Sequence, residues 1–220
     1  MNTIRYTETF FSIQGEGLHI GAPSIFFRTF GYNLRCKNFG LNSTDKITGA
    51  NPEVAEIIKN LDLYENYNQL PLVKSGCDSY SSSYSEFKRF AKNETIDAIV
   101  DGMVDLIGDD HGKNLGIHLV ITGGEPLLGW QKQYPELFEK IQDRLGIYRI
   151  TFETNGTQKL NQEMIEYIRT TPWFEYTFSV SPKLSISGEK WEDAIKPDII
   201  ADYQRYSDHT YLKFVVSKDS

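Results

Sequence analysis

The sequence predicts an α/β protein built on a mainly parallel sheet, on two patterns that run together from about residue 95 onward. Apolar segments of strand length alternate with stretches of helical periodicity, and each strand-like segment is followed directly by a short polar run or a turn signal. Such alternation favours parallel strands joined by helical crossovers, because a parallel connection needs a dozen or more residues to return to the same edge.

The elements follow in order. A polar, asparagine-rich segment from Asn42 to Lys74 reads as an insertion carrying one helix, from Pro52 to about Leu61. Ser79 to Ser85 is low in complexity and is expected to be a mobile surface loop. Ile96, Ile99, Val100, Met103 and Ile107 recur at helical spacing behind a cap at Asn93 or Thr95, and Gly116 to Ile121 reads as a buried strand. Pro135 suits the first turn of a helix whose Leu137, Phe138, Ile141 and Leu145 form one face. Ile147 to Phe152 is the next strand, and Asn161 caps a helix bearing Ile165 and Ile168. Phe178 and Val180 lie in a short strand, Ile199 and Ile200 in a fragment of one, and Tyr211 to Val216 in the last. No repeat or linker divides the 220 residues, so a single domain over 1–220 is expected.

Composition narrows the function classes. Hydrophobic residues at 40% and charged residues at 24% suffice for a full core. The net charge of -7 argues against a broad electrostatic footprint for nucleic acid or an anionic membrane, which favours small-molecule chemistry. Met1 to Phe11 lacks the pattern of a secretory signal, no window is apolar long enough to span a bilayer, and a cytoplasmic location is expected. Cys36 and Cys77 stand far apart without a secretory signal, which leaves metal ligation or free thiols ahead of a disulfide.

The polar runs gain meaning from the topology. Thr122-Gly123-Gly124-Glu125-Pro126, Glu153-Thr154-Asn155-Gly156-Thr157 and Ser181-Pro182-Lys183 each follow a strand, so a parallel sheet crowds all three on one rim. Open α/β sheets build their ligand sites there. Taken singly, each is an ordinary turn or strand terminator.

Together with Phe11-Ser12-Ile13-Gln14-Gly15-Glu16-Gly17, Gly21, Pro23, Phe27-Arg28 and Gly31-x-Asn33-Leu34-x-Cys36, these runs resemble the 7-carboxy-7-deazaguanine synthases, a family of radical S-adenosylmethionine enzymes. The resemblance extends from about Tyr6 to Val216. It implies a partial or modified (β/α) barrel that binds a [4Fe-4S] cluster, S-adenosylmethionine and Mg2+. It further implies contraction of 6-carboxy-5,6,7,8-tetrahydropterin to 7-carboxy-7-deazaguanine for queuosine and other deazapurines. An electron donor such as flavodoxin, a pterin substrate and a possible homodimer are implied with it. By the same resemblance Gly123, Gly124, Glu125 and Pro126 meet S-adenosylmethionine, with Glu153, Asn155, Ser181 and Lys183 on the same wall. Ile13, Gln14, Gly15 and Thr122 adjoin the pterin, and Arg28 pairs with its carboxylate, a task suited to a planar bidentate donor.

The sequence departs from the family at the cluster loop. Where the family places three cysteines, this chain has Tyr32 first, Cys36 second and Phe39 at the compact third position. Cys77-Asp78-Ser79 resembles the segment that carries the third cysteine and a magnesium-binding hydroxyl, so residues 42–74 would split the loop, with Cys36 and Cys77 as cluster ligands and Ser79 as the magnesium ligand. A phenol is a poor substitute for thiolate toward iron and sulfur. Three readings stay open: a working synthase with a ligand from elsewhere, a catalytically impaired relative acting as a binding or regulatory protein, and an α/β enzyme without radical chemistry. His19, His111, His118 and His209 lack cluster-motif spacing. Relatives also usually continue beyond the equivalent of Val216, and a shortened carboxyl end is expected.

Overall fold

In the computed structural model, residues 2–41, 51–107 and 116–216 are described. Among them, seven strands form one open sheet in the order β3-β1-β2-β4-β5-β6-β7. Strand β1 (Thr3–Ile13) runs antiparallel to both β2 (Pro23–Thr29) and β3 (Lys92–Thr95). From β2 onward the neighbours β4 (His118–Gly123), β5 (Arg149–Thr154), β6 (Glu175–Val180) and β7 (His209–Leu212) are all parallel. The expected mainly parallel sheet is therefore present, open and not closed into a barrel.

Period-two alternation gives the sheet two unlike faces. Ile25 and Phe27, Leu119 and Ile121, Ile150 and Phe152, and Tyr176 and Phe178 point into the main core. That core is completed by α3 (Ile96–Ile107), α4 (Tyr134–Leu145), α5 (Gln162–Thr170) and α7 (Pro197–Tyr206). The alternate residues, among them Phe26, Arg28, Thr122 and Glu153, line a cavity on the other face. Thr95 caps α3, accepting from the amide of Ala98 at 3.3 Å, and Asn161 caps α5 through the amide of Met164 at 2.7 Å.

The insertion builds a second, smaller core. Helix α1 (Pro52–Lys59), capped by Asn51, contributes Val54 and Ile57, which pack with Phe30, Tyr80, Tyr84 and Phe87. Its ends meet: the amide of Gly76 donates to the carbonyl of Phe39 at 2.7 Å. The segment thus leaves and rejoins the chain at nearly one point. Residues 42–50 of the expected insertion, and His111, lie outside the described residues.

Three expectations need correction. Ser79 to Ser85 is no surface loop, since Tyr80–Ser83 form a short buried helix, α2, in which Ser82 is fully enclosed. Small hydroxyl side chains make this possible, because each finds a close partner: Ser83 donates to the carbonyl of Ser79 at 3.0 Å, and Ser82 pairs with Thr7 of β1 at 3.1 Å. Ile199 and Ile200 belong to α7 rather than to a strand, with Pro197 in its first turn and Ile199 and Tyr203 four residues apart on the buried face. The last strand is His209–Leu212, earlier and shorter than Tyr211 to Val216. A short helix, α6 (Trp191–Ala194), precedes α7.

Candidate functional site

Parallel pairing brings the carboxyl ends of β2, β4, β5, β6 and β7 to one rim. There the sheet's polar face opens into a cavity of about 660 Å³. Ile13, Gln14 and Gly15, Arg28, Cys36, Cys77 and Ser79, Thr122, Gly123 and Gly124, Glu153 and Asn155, and Ser181 and Lys183 all line it. Every residue the sequence nominates therefore reaches the cavity except Glu125 and Pro126.

The two glycines have a structural reason. Gly123 sits at φ 131°, and a Cβ there would collide with the backbone of Thr29. At Gly124 a Cβ would meet the carbonyl of Gly31. The amides of Gly124 and Glu125 donate to the carbonyls of Thr29 and Gly31 at 3.1 and 2.7 Å, so the turn is sewn to the segment leaving β2. Glu125 itself is fully buried and faces the next rim loop, accepting from Thr154 Oγ1 at 2.7 Å and from the amides of Asn155 and Leu127 at 2.8 and 3.1 Å. Burial pushes its carboxyl up to about 7, against the pull of those hydrogen bonds.

Along the floor, charge is paired. Arg28 Nε donates to Glu8 Oε1 at 2.7 Å, directly across the β1–β2 pair, and its Nη1 reaches Ser79 Oγ at 3.1 Å. Thr122 Oγ1 and Gln14 Nε2 donate to Glu153 at 3.0 and 3.4 Å, and Lys213 bridges Glu16 and Glu153. Burial works against the charge on Lys213, yet the two carboxylates outweigh it and raise its pKa. Lys183 donates to Ser181 at 3.0 Å. Phe10 and Phe26 stack at 5.0 Å between ring centres and form an apolar part of the wall.

Sequence reasoning missed Glu8, Phe10, Phe26 and Lys213. Alternation along β1 and β2 could have placed the first three on one face, because Phe10 pairs with Phe26 and Glu8 with Arg28. Lys213 has no local signal, since its position depends on where the chain emerges from β7.

Tyr32, Cys36 and Cys77 converge at one end of the cavity. The Tyr32 hydroxyl lies 3.5 Å from Cys36 Sγ, and Tyr32, Phe39 and Cys77 pack on a small cluster of Leu34, Cys36 and Ala194. Cys36 is the one non-glycine with positive φ among the described residues, at 49°. A conformation of this kind costs about 1–3 kcal/mol. Glu189 holds it there, accepting from the amides of Arg35 and Cys36 at 2.7 and 2.6 Å. Burial pushes the Cys36 thiol up to about 12 and raises that of Cys77 as well. Among the described residues no group of three His, Cys, Asp or Glu side chains is placed to hold a metal ion. Beside Ser79 stand one carboxylate, Asp78 at 3.2 Å, and the Arg28 guanidinium, whose charge opposes a divalent cation. Among the described residues, no helix is long and apolar enough to cross a membrane.

No protein-family profile matches the chain. It is 31% identical over 150 residues to the 7-carboxy-7-deazaguanine synthase of Halobacterium salinarum, covering 68% of this chain and 38% of that protein. The synthase of the same name from Pyrobaculum aerophilum is 24% identical over 215 residues, covering 97% of this chain and 67% of that one. That of Rickettsia prowazekii is 28% identical over 212 residues, covering 96% and 60%. The chain thus spans 38% to 67% of the length of these relatives. The crystal structure of QueE from Escherichia coli superposes with a TM-score of 0.48 at 18% identity, over 96% of this chain and 70% of that one. By its sequence relatives, the chain is similar to the 7-carboxy-7-deazaguanine synthases.

Proposed function

We propose that this chain is a 7-carboxy-7-deazaguanine synthase-like protein whose cavity takes S-adenosylmethionine and a pterin carboxylate, the ligands of queuosine and deazapurine biosynthesis. One observation carries the reading: loops from both ends of the chain deliver the family-matched residues into a single cavity of about 660 Å³. Sites for small molecules and cofactors commonly span about 300–1,000 Å³. Gly123, Gly124, Asn155, Ser181 and Lys183 would hold the amino-acid end of S-adenosylmethionine. Gln14, Thr122 and Glu153 form a connected polar strip suited to the hydrogen-bonding edge of a planar heterocycle, and the stacked Phe10 and Phe26 offer it an apolar wall. Arg28 and Lys213 are the cations available to a carboxylate, although Glu8 already takes one edge of the guanidinium.

The residues present do not complete a site for the family's iron–sulfur cluster. Two thiols and a phenol stand where three thiolates are required. Nor do Ser79 and Asp78 make a magnesium site unaided. Calorimetric titration of the intact chain with S-adenosylmethionine, and separately with 6-carboxy-5,6,7,8-tetrahydropterin, tests the proposal. Saturable binding that Glu153→Gln and Lys183→Ala weaken at least tenfold is expected. No binding of either ligand by the folded chain would refute it.

A further inference from the structure

The loop after β2 and the returning end of the insertion present three side chains to the cavity, and only Tyr32 among them cannot supply sulfur. Two features show that the loop keeps a presenting geometry. Cys36 is held at positive φ by the Glu189 carboxylate, and the Gly76–Phe39 hydrogen bond seats Cys77 beside the loop as though the insertion were not there. The Tyr32 ring ends against Cys36 Sγ, so it fills the space between the position-32 backbone and the thiol. A thiol at position 32 would stop well short of this and leave the space open.

We infer that Tyr32 alone denies this chain a four-iron cluster: it removes one sulfur ligand and occupies cluster volume, leaving a two-thiol site beside an otherwise built cavity. The inference rests on the family reading of this loop but not on ligand binding. Position 32 is thereby a specificity-determining position, and the chain as it stands holds its ligands without a cluster to act on them.

Anaerobic reconstitution with iron and sulfide, read by metal and sulfide content and by visible absorption, tests it on the unaltered chain, Tyr32→Cys and Tyr32→Ala, with circular dichroism confirming that each is folded. Tyr32→Cys is expected to retain about four irons per chain after desalting, with the broad sulfur-to-iron absorption. The unaltered chain and Tyr32→Ala are expected to retain less than about a tenth of that. A cluster in the unaltered chain would overturn the inference, whatever the variants do. A folded Tyr32→Cys that gains nothing would overturn Tyr32 as the sole determinant, and a cluster in Tyr32→Ala would show that bulk rather than the missing sulfur is decisive. Because S-adenosylmethionine binding is measured separately without iron, failure of the proposed function and failure of this inference are distinguishable.

Discussion

Gly124 shows how tightly single residues are constrained at the rim. A methyl group there would meet the Gly31 carbonyl and also the carbonyl of Ser82 at 3.0 Å. Since both neighbours are backbone, Gly124→Ala is expected to cost roughly 1–3 kcal/mol, read as a lowered urea midpoint. Gly15→Ala, with nothing within 4 Å of the new atom, should change stability by less than about 0.5 kcal/mol. Titration adds a second test. His118 is buried against His19 and bonded to Thr151 at 2.8 Å, and burial, reinforced by His19 and Arg149, lowers its pKa from 6.5 to about 3. The stability tied to its neutral ring is full above about pH 6.5 and is lost as pH falls toward 3. Glu125 runs the other way: its raised pKa gives stability that is full below 4.5 and is lost as pH rises through about 7. The urea midpoint of His118→Gln should therefore fall less than that of the parent between pH 6 and pH 4, values chosen inside the His118 window. Equal slopes would show that His118 does not titrate as its burial implies.

At the scale of elements, the insertion is a working part of the fold. Its helix α1 closes the second core over Phe30, the residue that carries β2 into the cysteine loop. Phe87, fully enclosed in that core, anchors it, and Phe87→Ala is expected to destabilise by about 3–5 kcal/mol. Leu72→Ala, at an exposed site, should be nearly silent. Equal thermal shifts for the two would mean that the second core adds nothing. Helix α1 was legible because Pro52 and the apolar Ile57 and Ile58 are local signals, although the helix ends at Lys59, short of Leu61. Strands β1 and β2 were not, because they alternate a core face with a cavity face on which Phe10 and Phe26 are as apolar as the core itself. Helix α2 was misread for the opposite reason: serines look solvent-seeking unless the neighbours that bury them are known.

For the whole molecule, an open sheet encloses its cavity through its ends rather than by strand closure. The loop after β1 crosses to the segment after β7, where Lys213 grips Glu16 and Glu153, and Gly17, at φ 74°, packs where a side chain would strike Tyr211. A ligand in that cavity bridges elements from both ends of the chain and so opposes global unfolding. At a hundred times its dissociation constant it should add about 2.7 kcal/mol, or about 5–10 °C in the melting temperature of a chain this size. Differential scanning calorimetry with S-adenosylmethionine checks this, and an unchanged melting temperature at saturation would contradict the bridging role.

Residue chemistry and chain order determined the parallel α/β plan and the three rim runs, because each depends on identities and spacings a few residues apart, and the resemblance those runs carry marks the sulfur deficit at Tyr32. Tertiary structure alone decided that Ser81 to Ser83 are buried, that Glu125 serves the next loop instead of the cavity, and that Glu8 claims Arg28. Those outcomes depend on which backbones approach across the sheet and on where an insertion rejoins the chain, and no local pattern encodes either.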